Sequence, residues 1–113
     1  MDESDYDIDT LGVAARGPGG ERALARLVAL AEEGHCYAIE YVGVLCWEGK
    51  YLPLDVRRAL QLFCESAALG RGQGCYLAAA VYDTGGPDFA PNPAKAALFR
   101  ARGHAMGVRQ PGT

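Results

Sequence analysis

Apolar side chains recur along this chain with the spacing of buried helix faces. After a break at Pro18-Gly19-Gly20, residues 21–33 are apolar at positions i, i+3, i+4 and i+7, which predicts an amphipathic helix. Helical patterns also cover residues 36–48, 56–69, 73–84 and 93–106. Residues 36–48 are apolar almost all the way round, so this helix is predicted to be buried on more than one side. We therefore predict an all-α chain with five main helices.

The predicted helices begin and end at residues with suitable capping chemistry. Asp55 and Asn92 each precede a helix, and their side-chain oxygens can accept hydrogen bonds from free backbone N–H groups of the first turn. Pro93 then takes the first helical position, where no N–H is needed. Glycine follows each helix, at positions 34, 49, 70, 85 and 107, where a left-handed turn costs it little. Gly43 lies inside a helix, which predicts a close approach by a neighbouring helix.

These elements repeat along the chain. Gly34 and Gly49 recur 36 positions later as Gly70 and Gly85, and Gly107 lies 37 positions after Gly70. A fixed period of this length is typical of stacked helical repeats. The sequence therefore predicts an array in which each unit buries its apolar face on the next.

The last unit departs from this pattern. Arg100 occupies the position that Phe63 has in the preceding unit, and His104 that of Ala67. A terminal repeat has an outer face in contact with water, so polar residues are expected to cap the array there.

The repeating unit resembles a known family, the Sel1-like repeat, which is related to the tetratricopeptide repeat. The residues that carry the resemblance are Gly34, Ala38, Val42-Gly43-Val44, Gly49, Asp55, Ala59-Leu60, Phe63, Ala67 and Gly70. The family pattern is not followed at Tyr51, Cys46 and Ala78-Ala79. The resemblance covers residues 21–107, as one trailing half-unit and two full units. It implies an α/α superhelix, or solenoid, of about two and a half helix-turn-helix repeats, with the first helices lining the concave face.

Charge divides the chain into three parts. Five of the fourteen acidic residues lie in the first nine positions, which leaves nine acidic residues against eleven basic ones in the remainder. We predict that residues 1–17 form an acidic, disordered arm, that residues 18–107 form the repeat domain, and that residues 108–113 form a loose tail. The arm can also be interpreted as an acidic segment that attracts a basic partner.

Composition excludes several classes of partner. No block of lysine or arginine is present, so nucleic acid is not expected as a partner. No apolar run is long enough to span a bilayer, so no membrane association is expected. The N-terminus is acidic, whereas a secretory signal begins with basic residues. We therefore predict a cytoplasmic protein.

Chemistry-bearing residues are few and scattered. Cys36, Cys46, Cys64 and Cys75 form no CxxC pair, so we expect free thiols and no zinc, other metal or cofactor. A disulfide between neighbouring helices is the alternative. The two histidines and the few serines fit no nucleophile or phosphate-binding motif. We predict that the chain has no catalytic residues and is not an enzyme.

A candidate protein-binding face follows from the repeat. If one side of the 36–48 helix faces the stack, the other side and its repeat equivalent form an aromatic and acidic patch on the concave surface. Its residues are Tyr37, Glu40, Tyr41, Val44, Trp47, Glu48, Gln73, Tyr76, Leu77 and Asp83. Tyrosine and tryptophan are enriched at binding hot spots. The alternative is that these aromatic side chains fill a small core.

The resemblance implies scaffolding and protein binding rather than catalysis. We predict a module that binds another protein, with an immunity protein that inhibits a basic toxin or effector as the sharper version. An adaptor that assembles into a homodimer is the alternative, and an enzyme is the remaining class.

Overall fold

The computed structural model describes residues 5–107, which form six α-helices and no β-strand. They are α1 (Asp5–Ala15), α2 (Glu21–Glu32), α3 (Cys36–Glu48), α4 (Val56–Ala68), α5 (Gln73–Thr84) and α6 (Pro93–Ala105). The predicted helices are confirmed as α2 to α6, with each end within one residue of its predicted position. The helix α1 is additional.

Within residues 5–107, successive helices pair into three hairpins: α1 with α2, α3 with α4, and α5 with α6. The hairpins stack in chain order, because α2 packs against α3 and α4 packs against α5. Helical hairpins that each contact their neighbours form an α/α superhelix, so the predicted fold class is confirmed.

The prediction of a disordered arm over residues 1–17 is wrong for the part that the structure describes. Residues Asp5–Ala15 form α1, which packs against α2 and α3. Ile8 has no exposed surface and Ala15 is only 4% exposed, and the partly buried Leu11 packs against the same core. These three apolar residues share one helix face. Their pattern was not recognised in the sequence because the stretch around Ile8 is rich in acidic residues. Those neighbours lie in the first half of α1, near the helix end that favours negative charge.

This helix changes the predicted domain boundaries. The trailing half-unit is a complete hairpin, so the described residues contain three hairpins rather than two and a half. The packed region begins at residue 5 and not at residue 18. Residues 1–4 and the predicted loose tail, residues 108–113, lie outside the described residues.

Local capping defines the helix ends as predicted. The Asp55 carboxylate accepts a hydrogen bond from the backbone N–H of Arg58 at 3.0 Å, and Asn92 caps α6 in the same way at 3.1 Å. His35 is a further N-cap, not identified from the sequence, whose Nδ1 accepts from the N–H of Ala38 at 3.4 Å. The glycines at 34, 49, 70, 85 and 107 all have positive φ. Gly49 adopts the predicted left-handed turn, whereas Gly85 combines its positive φ with an extended ψ of −162°.

One apolar core passes through all three hairpins. Its fully buried side chains include Ile8 of α1, Leu27 of α2, Phe63 of α4 and Val81 of α5. A Cβ built on Gly43 would lie 2.8 Å from the Phe63 ring, so the predicted close approach at this glycine is confirmed. The stacked hairpins therefore fix the orientation of α3 and α5, the helices that carry the candidate binding residues.

Candidate protein-binding face

The residues predicted to bind a partner lie on α3 and α5, the first helices of the second and third hairpins. The α3 group comprises Tyr37, Glu40, Tyr41, Val44, Trp47 and Glu48, and the α5 group comprises Gln73, Tyr76, Leu77 and Asp83. The two groups have different surroundings. Much of the α3 group contacts other parts of the chain, whereas the α5 group lines a groove that is open to solvent.

The tyrosines of α3 lie against α1. The Tyr37 hydroxyl donates a hydrogen bond to the Asp9 carboxylate, and burial together with this bond raises the pKa of Tyr37. A Cβ built on Gly12 would lie 2.2 Å from the Tyr41 ring, so the backbone of α1 approaches that ring very closely. The helix α1 thereby covers part of the surface that was predicted to face a partner.

Arg16, just beyond the end of α1, extends these contacts. Its guanidinium pairs with Glu48 at 2.9 Å and donates to the Tyr41 hydroxyl at 3.3 Å. Both hydrogen bonds raise the pKa of Arg16. The Tyr51 hydroxyl in turn donates to the Arg16 carbonyl at 3.0 Å. The negative charge of Glu48 is therefore already paired within the chain.

Glu40 and Arg71 form a largely buried ion pair between the second and third hairpins. Glu40 is only 6% exposed, and its carboxylate accepts from Nε of Arg71 at 2.8 Å. The Arg71 guanidinium also lies over the Tyr37 ring, 3.8 Å from its centroid. This burial contradicts the prediction that Glu40 contacts a partner, because a charge removed from water needs its partner inside the fold.

Trp47 combines a packing role with partial exposure. Its ring meets Phe63 edge to face, with centroids 6.0 Å apart and an angle of 76° between the planes. Trp47 and Val44 are both half-buried and pack against the core. On α3 the interpretation as core filling therefore accounts for much of the aromatic surface.

The α5 group lies together along one shallow groove of about 310 Å³. The predicted residues Gln73, Tyr76, Leu77 and Asp83 all line it. Tyr76, however, is only 8% exposed and its ring packs against Gly103 of α6, so it belongs mainly to the core beneath the groove. Leu77 is half-buried, so part of its side chain faces solvent. The structure thus brings four of the predicted residues into a single concave surface.

Arg100 of α6 completes this groove and was not among the predicted site residues. It pairs with Asp83 at 2.5 Å, and the two side chains are 34% and 45% exposed. Its sequence signal was an arginine at the repeat position that Phe63 has in the preceding unit. We interpreted this change only as a polar cap of the array. The groove therefore has an apolar floor and one charged edge.

A second, more apolar groove of about 430 Å³ lies between α4, α5 and α6. It was not predicted, since none of its residues belongs to the candidate binding set. Its lining residues are Cys64, Ala67, Ala68, Cys75, Phe99, Arg102, Ala105 and Met106. Residues from α4, from α5 and from the C-terminal end of α6 thus bring two cysteines and a methionine into one groove.

The described residues show little that is typical of a catalytic centre. Within residues 5–107 no three or more of the His, Cys, Asp and Glu side chains are grouped so as to hold a metal ion. All four cysteines have free thiols, and burial raises the pKa of Cys46, Cys64 and Cys75. A raised pKa reduces the fraction of reactive thiolate at neutral pH.

The helices in residues 5–107 are too short or too polar to cross a bilayer.

Comparison with solved structures identifies the same fold elsewhere. The chain is similar to c5321, described as a protective antigen present in uropathogenic Escherichia coli strains displaying an SLR fold. The TM-score is 0.77 at 21% sequence identity, over 91% of this chain and 22% of that chain. The likeness confirms at the level of the fold the resemblance to Sel1-like repeats. This chain spans about a fifth of the length of that protein.

No protein-family model matches the sequence, and no curated protein matches it.

Proposed function

We propose that this chain is a non-catalytic protein-interaction module that binds another protein in the groove over α5. The observation that carries the proposal is the convergence of Gln73, Leu77 and Asp83 with Arg100 in one concave surface over the buried Tyr76. Apolar and aromatic side chains with a polar edge are the usual composition of a protein interface. Concave surfaces on stacked helical repeats serve as extended binding sites in other proteins of this architecture.

The groove over α5 is a better candidate than the surface of α3. Tyr37, Tyr41 and Glu48 already contact α1, so a partner would have to displace those contacts. A partner could contact Leu77 without displacing another part of the chain, because the groove above this residue is open. We therefore propose that the partner contacts the third hairpin, and we keep the half-buried Trp47 and Val44 of α3 as further candidate contacts.

A charged side chain in the groove tests the proposal. We expect Leu77→Arg to weaken partner binding at least about tenfold, because it removes an apolar contact and places an unmatched charge in the interface. The matched control is Leu98→Arg on α6, where the leucine is 49% exposed and does not line the groove. Proteins captured from the native host by the unaltered chain and by both variants are compared by quantitative mass spectrometry, and the affinity of the purified partner is measured by calorimetry.

A partner that binds all three proteins equally well would refute the assignment of the groove. Circular dichroism of each variant checks that the helical fold is retained. The immunity role is the narrower form of this proposal, in which the captured partner is a basic toxin or effector that the chain inhibits. A homodimer is the alternative, which light scattering detects as a doubled mass that Leu77→Arg abolishes.

A further inference from the structure

Three sulfur-containing side chains line the apolar groove between α4, α5 and α6. Cys64 comes from α4, Cys75 from α5, and Met106 directly follows α6. The Sγ of Cys75 lies 3.8 Å from the Sδ of Met106. Cys64 lines the same groove, on the helix that packs against α5. The stack of the third hairpin on the second thus collects soft ligands that lie far apart in the sequence.

The sulfur spacing fits two ligands of one metal ion. Metal–sulfur bonds of about 2.3 Å, the length found for zinc, place the sulfurs of a trigonal site about 4 Å apart. The separation of 3.8 Å between Cys75 and Met106 is close to this distance. We propose that Cys64, Cys75 and Met106 form a trigonal binding site for Cu(I).

The ligand set selects among metals. Two thiolates and a thioether are soft ligands, which Cu(I) prefers and which hard ions avoid. Zinc would need a fourth ligand and accepts histidine or carboxylate. The described residues offer no group of three or more His, Cys, Asp and Glu side chains for it. A monovalent ion that is satisfied by three sulfur ligands is therefore the better match.

The charge of the occupied site has a counterion in the groove. Binding converts two neutral thiols and one Cu(I) into a bis-thiolate complex of net charge −1, with the release of two protons. Arg102 lies in the same groove, over the Phe99 ring at 4.9 Å from its centroid. The guanidinium would therefore offset the charge of the occupied site.

The groove also provides a route for the ion. Cys75 is only 4% exposed, whereas Met106 is 44% exposed and Cys64 is half-buried. Methionine is unbranched and adapts readily to a ligand, so its side chain can close over an ion that enters from solvent. This site lies outside the groove over α5, and its occupancy does not depend on the partner-binding proposal.

Copper competition provides the test. The full chain is reduced and titrated without oxygen with Cu(I) in the presence of a chromogenic Cu(I) chelator. We expect one Cu(I) per chain, about two protons released, and an X-ray absorption spectrum with three sulfur neighbours at about 2.3 Å. Met106→Leu keeps the size of an exposed side chain and removes only the sulfur, and we expect about tenfold weaker binding or more.

Variants of single cysteines separate this site from general thiol binding. Cys64→Ser should abolish tight binding, whereas Cys36→Ser should leave it unchanged, since both cysteines are half-buried helix residues and Cys36 does not line the groove. Equal losses in these two variants, or unchanged affinity in Met106→Leu, would overturn the proposal. An absorption spectrum of the copper-loaded chain with fewer than three sulfur neighbours would also overturn it.

Discussion

Replacing Arg71 by alanine should destabilise the fold far more than the same change at Arg100. Arg71 pairs with Glu40 at 2.8 Å, and Arg100 pairs with Asp83 at 2.5 Å. The side chains of the first pair are 25% and 9% exposed, and those of the second are 34% and 45% exposed. The two pairs have similar distances, and they differ in their access to water and in the stacking of Arg71 on the Tyr37 ring.

The expected magnitudes follow from this difference. Removing one partner of a buried pair costs about 3–5 kcal/mol, because the remaining charge stays in a poorly solvated place. Arg71 also loses its stacking on Tyr37, worth about 0.5–2 kcal/mol, while its own partial exposure lowers the total. We expect a loss of about 3 kcal/mol for Arg71→Ala. An exposed pair contributes about 0–1 kcal/mol, so Arg100→Ala should cost less than about 1 kcal/mol.

Urea unfolding followed by circular dichroism measures both values. A loss of about 3 kcal/mol also lowers the melting temperature of a chain of this size by about 10 °C or more. The double variant Glu40→Gln with Arg71→Ala should show a coupling energy of about 1–3 kcal/mol. Equal losses for Arg71→Ala and Arg100→Ala would refute the argument that burial makes the Glu40 pair important for stability.

Three further predictions concern α1 and the thiols. Gly12→Ala should cost about 1–3 kcal/mol because the new methyl group forces the Tyr41 ring away, whereas Gly17→Ala has room for its Cβ and should be nearly neutral in urea unfolding. Ile8→Ala should lower the free energy of unfolding by about 2–5 kcal/mol, because Ile8 has no exposed surface. Val13→Ala, at a site 73% exposed, should lower it by less than about 0.5 kcal/mol. Equal losses would show that α1 is not packed. Burial raises the pKa of the thiols at 46, 64 and 75, so the unfolded chain releases these protons first and stability should fall as pH rises above about 9. Unfolding measured from pH 7 to pH 10 checks this, and unchanged stability would contradict it.

Local chemistry made most helix ends predictable. The Asp55 carboxylate and the Asn92 side chain act on backbone groups three residues away, so their effect is encoded in short sequence. The same holds for Gly43, because a glycine in a buried helix has few explanations other than a close neighbour. These features need no knowledge of distant parts of the chain.

The helix α1 could not be identified by the same reasoning. Its charge density predicted disorder, and only three apolar residues of α1, Ile8, Leu11 and Ala15, define the buried face. Their burial depends on contacts with α2 and α3, which are long-range consequences of stacking. An apolar stripe of this width becomes a reliable signal only when a neighbouring surface is known to be available.

The candidate site was predictable in part for the same reason. Repeat spacing placed Gln73, Tyr76 and Leu77 on one helix face, and the structure brings them to one groove. Spacing did not show that Arg71, from the next connection, buries Glu40. Nor did it show that Cys64, Cys75 and Met106 line one groove, because these side chains come from three separate parts of the chain.

The end of the array favours a different protein as the partner over a second copy stacked end to end. Phe63 and Trp47 pack together in the second hairpin, and their repeat equivalents in the third are Arg100 and Asp83, which form an ion pair in contact with water. An identical hairpin stacked on this end would bury both charges, and desolvation costs several kcal/mol for each ion unless further hydrogen bonds compensate. A protein bound in the groove can instead leave this edge hydrated as the rim of its interface. The chain should therefore remain a monomer in light scattering as its concentration is raised, and a dimer formed by the unaltered chain would contradict this argument.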